Sequence, residues 1–130
     1  MSQMNPRELD VLNLLWKNDE PMTAIDIVNA GSGLTQSTVS AVLRKLLNAD
    51  LVDAVGVTHS GKVLSRTYRP TETSKELILQ SFTESYSSFS NVIPESSMCV
   101  AILKSSKNTK KAKEELKRLK KMLEAYEKEI

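Results

Sequence analysis

Between Leu34 and Pro70 the chain gathers short polar and basic side chains and keeps acids out. Within Leu34–Ala49, Val39, Val42, Leu43, Leu46 and Leu47 recur at the helical repeat and define one apolar face. The other face carries Gln36, Ser37, Ser40, Ala41, Arg44 and Lys45. Gln and Ser can hydrogen-bond base edges, an Ala methyl can meet a thymine methyl, and Arg and Lys neutralise phosphates. No Asp or Glu falls in Leu34–Ala49 or between Ala54 and Pro70, and the second stretch supplies Lys62, Arg66 and Arg69. An amphipathic helix with an ordinary solvated face has the same period, but the acid-free basic stretch behind it favours double-stranded DNA as the partner. Helix N-termini enter the groove first in helix-turn-helix proteins. Gln36 and Ser37 are therefore expected at base edges, with Ala41 against a thymine methyl and Arg44 and Lys45 at phosphates. In the wing, Lys62 and Arg66 are the expected phosphate or minor-groove contacts. Arg66 and Tyr68 share one strand face, so one of that pair is free to pack on the domain instead.

The elements that position these groups are announced by helix caps. Asn5 caps a first helix with Pro6 at its first position and Glu8 placed to reach back; Leu9, Leu12, Leu15 and Trp16 line one side. Trp16 is expected in the core between the first and third helices. Thr23 caps a second, shorter helix with Asp26 three residues on, and Gly31-Ser-Gly33 ends it. Thr35 caps the third, which fades at Asn48-Ala-Asp50. Two strands follow, around Leu51–Val57 and Leu64–Arg69, with Ser60-Gly61 in the turn. Helix, helix, helix, hairpin is the order of a winged helix-turn-helix, expected over residues 1–70 with a recognition helix at 35–48 and a wing at 51–69.

After Pro70 the character changes, and residues 71–130 are expected to form a helical dimerisation domain. Thr73-Ser-Lys-Glu76 reads as a capping box, opening a helix with Leu77, Ile78, Phe82, Tyr86 and Phe89 on its apolar side. Met98–Leu103 is a continuous apolar run, expected as a short buried helix in which Cys99 is a small buried residue. Ala112, Leu116, Leu119, Leu123, Tyr126 and Ile130 are spaced 4, 3, 4, 3, 4, an a/d seam, with Glu114–Arg118 and Glu124–Lys128 placed to pair. These stripes exceed what the segment can bury within itself. A homodimer through Leu77, Phe82, Phe89, Leu116, Leu119, Leu123 and Tyr126 would cover them and set two recognition helices on one duplex.

The whole composition fits this mainly α reading. At 130 residues there is room for one ordinary domain or a small one with an oligomerisation element, and with aromatics at 5% the core must be aliphatic. Net charge is only +2, but it is uneven: residues 104–130 hold ten Lys/Arg against five acids. The densest run, Lys104, Lys107, Lys110, Lys111 and Lys113, is expected to be a solvated face. A single cysteine suits a reducing cytosol, and no signal peptide or membrane-length apolar run occurs, so a cytoplasmic location without membrane contact is expected. With one His (His59, expected exposed at the wing tip) and one Cys, no metal-ligand spacing and no Gly-rich phosphate loop, the sequence excludes the common enzyme classes. It calls for no cofactor or metal.

Glu8-Leu-Asp-Val-Leu-Asn-Leu-Leu-Trp16, Leu34-Thr-Gln-Ser-Thr-Val39 with Leu43-Arg-Lys-Leu-Leu47, and Tyr68-Arg-Pro70 together resemble the penicillinase-repressor (BlaI/MecI) family, which includes copper-responsive repressors. Lys113–Leu123 is similar, more loosely, to that family's last helix. The resemblance implies a dimeric winged-helix repressor on an inverted-repeat operator, with Thr35, Gln36, Ser37, Thr38, Ser40 and Arg44 in the major groove. Two departures stand out. Beta-lactam-responsive members are cut at an Asn-Phe bond, whereas the comparable run here, Val100-Ala-Ile-Leu103, contains none. Copper-responsive members carry a cysteine cluster near the C-terminus, and Cys99 stands alone. The sequence names neither an effector nor an inactivating protease. The alternative function is a winged-helix module that docks a protein and does not read DNA.

Overall fold

Three local caps set the frame of the N-terminal part. In the computed structural model, which describes residues 4–130 with the exception of the Ser60 side chain, α1 (Pro6–Lys17) begins at Asn5, whose side chain accepts from the Glu8 N–H at 2.9 Å. The Glu8 carboxylate takes the Asn5 side-chain amide at 2.8 Å, and not the backbone N–H of a full capping box. α2 (Ala24–Asn29) has that full box, Thr23 and Asp26 each accepting the other's backbone N–H. α3 (Gln36–Asn48) starts from Thr35 and closes at Ala49. Asp50 then turns the chain with φ of 59°, a left-handed conformation that Asp tolerates better than most residues.

β1 (Val52–Ser60) and β2 (Val63–Pro70) form an antiparallel hairpin, both strands longer than expected. Ser60 pairs with Val63, so the turn is Gly61-Lys62; Gly61 has φ of 69° at the first central position, as a II′ turn requires. The register slips between Ala54 and Gly56, leaving Val55 as an extra residue in β1, a bulge. The core joins Val11, Leu12 and Leu15 of α1 to Ile27, to Val39, Leu43 and Leu46 of α3, and to Val52. Val11 was not on the face expected for α1. Met22 exchanges backbone hydrogen bonds with Tyr68 at 3.1 and 2.8 Å, tying the α1–α2 loop to the wing.

α4 (Glu72–Ser87) starts earlier than the Thr73 capping box predicted. Thr71 precedes it and spends its hydroxyl on the Asp50 carbonyl at 2.8 Å, with its N–H on Leu51 at 3.0 Å. Ser74, fully buried, donates to the Thr71 carbonyl at 2.6 Å and accepts from Trp16 Nε1 at 2.9 Å. Lys75 lies 4.5 Å from the Trp16 ring centre. Trp16 therefore rests against the start of α4, and not between α1 and α3. Leu77 and Ile78 also pack on the winged-helix core. The contacts group the chain up to Ser85 as one unit and Tyr86–Ile130 as a second, so packing changes hands later than composition does at Pro70.

In the second unit, α5 (Glu95–Lys104) packs against α6 (Thr109–Glu129). Asn108 caps α6, accepting from Lys111 N at 3.2 Å. The Tyr86 hydroxyl donates to the Ile93 carbonyl and lies 3.1 Å from Glu95 Oε1; desolvation first, then Glu95, raises its pKa above the ordinary tyrosine value. α5 is helical as expected but not buried: Val100 and Ile102 are exposed, and so is Cys99. Arg118 pairs with Glu115, one turn away, where Glu114 was the expected partner. Among the described residues no helix is long and apolar enough to cross a membrane.

Candidate nucleic-acid interface

The four buried positions of α3 (Val39, Val42, Leu43 and Leu46) fix its rotation and turn Gln36, Ser37, Ala41, Arg44 and Lys45 outward. Thr38 and Ser40 are half-buried at the edges of that face. The first turn contains no acid, so the unpaired N–H groups of the helix start keep their attraction for anions. The Thr35 hydroxyl accepts from Thr38 N at 3.2 Å, donates to Thr38 Oγ1 at 2.9 Å, and lies 3.3 Å from Ser37 Oγ. Thr35 and Thr38 thus build the helix start, while Gln36 and Ser37 present the groups next to it.

The two basic residues of α3 have different surroundings. Arg44 is exposed. Lys45 Nζ lies 3.1 Å from Glu8 Oε1, and the Glu8 side chain is only 12% exposed. Ser37, Thr38, Ala41 and Lys45 border a hollow of about 310 Å³ whose other side is Arg7 and Glu8 of α1. Neither α1 residue belongs to the face deduced from α3 and the wing. No local pattern links them to Lys45; they meet it only through the packing of α1 on α3.

On the wing, pairing sets the faces. Arg66 lies opposite Val57 and Leu64 opposite His59; Tyr68, on the same face of β2, is half-buried. Of the Arg66–Tyr68 pair it is the tyrosine that packs on the domain, and Arg66 is exposed. Lys62 is exposed in the turn, as is His59 nearby. Arg69 lies opposite Asp53, just outside the acid-free stretch. Val57, Val63 and Leu64 are each more than 60% exposed, and of the three only Val63 lies outside the strands expected from the sequence. The residues read as a dimer seam separate likewise. Leu77 is spent on its own unit's core. Phe82, Leu116, Leu123 and Tyr126 are exposed, Leu119 is half-buried, and Phe89 is exposed in the turn beyond α4. Among the described residues no group of His, Cys, Asp and Glu is placed to hold a metal ion.

The description of the penicillinase repressor family matches residues 4–125. Among solved structures, the chain is similar to a Staphylococcus aureus MepR mutant bound to an oligodeoxyribonucleotide, at 18% identity and a TM-score of 0.52, over 95% of this chain and 80% of that one. It is also similar to RV1404 from Mycobacterium tuberculosis, at 14% identity and a TM-score of 0.52, over 94% and 73% of the two chains. At these identities the likeness is one of fold: a winged helix followed by further helices. Comparison with curated proteins returns no match.

Proposed function

Because the chain belongs to the penicillinase repressor family, we propose that it is a cytoplasmic transcriptional repressor that occupies a pseudo-palindromic DNA operator as a homodimer. The observation that carries this reading is the exposed, acid-free face of α3, with Gln36 and Ser37 beside an uncompensated helix start and Arg44 further along. Gln36, Ser37, Ser40 and Ala41 read base edges in the major groove. Arg44, Lys62 and Arg66 hold phosphates, with Thr35 and Thr38 supporting the helix start. Phosphate neutralisation releases counterions, so affinity falls steeply with salt. Repression follows from occupancy of the promoter and involves no catalysis.

Homodimerisation is supported by the apolar surface of the second unit, where Leu116, Leu123 and Tyr126 of α6 are all exposed. A two-fold dimer would place two recognition helices on half-sites about one helical turn apart or more. Control by the Asn-Phe cut of related repressors is not part of the proposal, since Val100–Leu103 lacks that pair. One observation favours the second reading, a protein-docking module: the exposed Val57, Val63 and Leu64 of the wing. Selection of bound duplexes from a random pool separates the two. Enrichment of one inverted repeat is expected, and only weak, sequence-blind binding would turn the reading towards a protein partner.

A further inference from the structure

The hollow between the first turn of α1 and the side of α3 has the composition of an anion seat. Arg7 and Lys45 bring cations from two different helices, and Thr38 brings a hydroxyl. Glu8 occupies the same hollow, held by Asn5 Nδ2 at 2.8 Å and by Lys45 Nζ at 3.1 Å. An ammonium has three donors and a guanidinium five. Lys45 therefore keeps donors for an incoming anion while one remains on Glu8, and Arg7 is exposed.

We propose that this hollow seats one backbone phosphate of bound DNA, and that Arg7 is the contact α1 contributes. This rests on the DNA-binding reading above. The seat adjoins Ser37 and Ala41, side chains directed at base edges, and a phosphate beside the groove is what such a position meets. Phosphate contacts fix register without carrying sequence, so Arg7 and Lys45 set how α3 lies while Gln36 and Ser37 read. Glu8 has a distinct part. It holds the Lys45 ammonium in place and already neutralises it, which lowers the gain from binding any passing polyanion.

The test is binding of the full chain to a random-sequence duplex across a salt series. Arg7→Ala is expected to reduce the slope of log K against log salt by about one, as loss of one phosphate contact does. Glu8→Gln is expected to steepen the slope and tighten binding several-fold at low salt. Arg7→Ala and Lys45→Ala act on one phosphate, so their combination loses less affinity than the product of the two single losses. Both cations are exposed, and far-UV dichroism verifies that the variants keep the fold. A wild-type slope in Arg7→Ala, independent losses in the double variant, or a shallower slope in Glu8→Gln overturns the proposal. Wild-type protein that binds no duplex would sink the DNA-binding reading and this seat together, before any variant is compared.

Discussion

Ser74→Ala removes a side chain that joins α1 to the start of α4 through hydrogen bonds. Ser74 is fully buried, accepts from Trp16 Nε1 at 2.9 Å and donates to the Thr71 carbonyl at 2.6 Å. Each bond contributes about 1 kcal/mol net. The Thr71 carbonyl keeps the Ser74 backbone N–H at 3.1 Å, so it is not orphaned. The Trp16 indole is half-buried, so its freed N–H regains part of its solvation. The expected loss is therefore about 2 kcal/mol, without the further penalty of a sealed, unpaired donor. Trp16→Phe loses the indole bond and weakens the contact with Lys75, about 1.5 kcal/mol together. The double variant should recover about 1 kcal/mol, the bond the two residues share. Urea unfolding followed by far-UV dichroism measures all three, at one fixed protein concentration because the proposed dimerisation would add to apparent stability. A coupling near zero, or Ser74→Ala within about 0.5 kcal/mol of wild type, where ordinary surface changes fall, would refute the anchoring of α4.

Four other variants test the interface and the assembly. Arg44→Ala is expected to weaken binding to every duplex and flatten the salt dependence by about one unit of slope, measured by fluorescence anisotropy titration. Gln36→Ala is expected to change the ranking among duplexes; if both variants bind all of them like wild type, α3 is not the reading element. Leu116→Lys with Leu123→Lys puts charges on the exposed stripe of α6, and light scattering should show the dimer mass fall to that of one chain. Gly61→Val forces a β-branched residue to a φ of 69° at a cost of about 1–3 kcal/mol; weaker DNA binding with little change in global unfolding is expected, since the hairpin tip lies outside the core.

Much of the N-terminal fold was legible because its signals are local. A cap is a relation between residues three apart, and Asn5, Thr23 and Thr35 all cap where the sequence places them. The buried face of α3 was legible for the same reason, its period being visible within thirteen residues. What escaped was non-local. Trp16 finds its partner 58 residues away in Ser74, and Met22 finds Tyr68 across the loop and the wing. The start of α4 was misplaced because Thr73-Ser-Lys-Glu76 has the letters of a capping box while Thr71 is the residue that packing selects. α5 is helical where expected, and only its burial was misjudged: an unbroken apolar run has no period to tell a buried helix from an exposed one.

The same distinction divides the candidate site. Arg44 and Lys45 are neighbours in sequence, and no pattern within α3 separates them. Their surroundings do, since a helix turns about 100° per residue and points adjacent side chains in different directions. Lys45 is turned onto Glu8, a residue whose capping letters made it look like a local feature of α1 alone. Its pairing is half exposed and contributes little to stability, so stability does not account for a carboxylate beside the reading face. The proposed DNA-binding role offers an account. A repressor must leave non-specific DNA to find its operator, and under the proposed seat a fixed anion next to Lys45 would reduce the sequence-independent part of affinity while leaving Gln36 and Ser37 untouched. Selectivity would then depend on Glu8 as well as on the residues proposed to touch bases. Glu8→Gln should therefore narrow the ratio of operator to random-duplex affinity, measured by competition binding, and an unchanged ratio would leave Glu8 as a helix cap and nothing more.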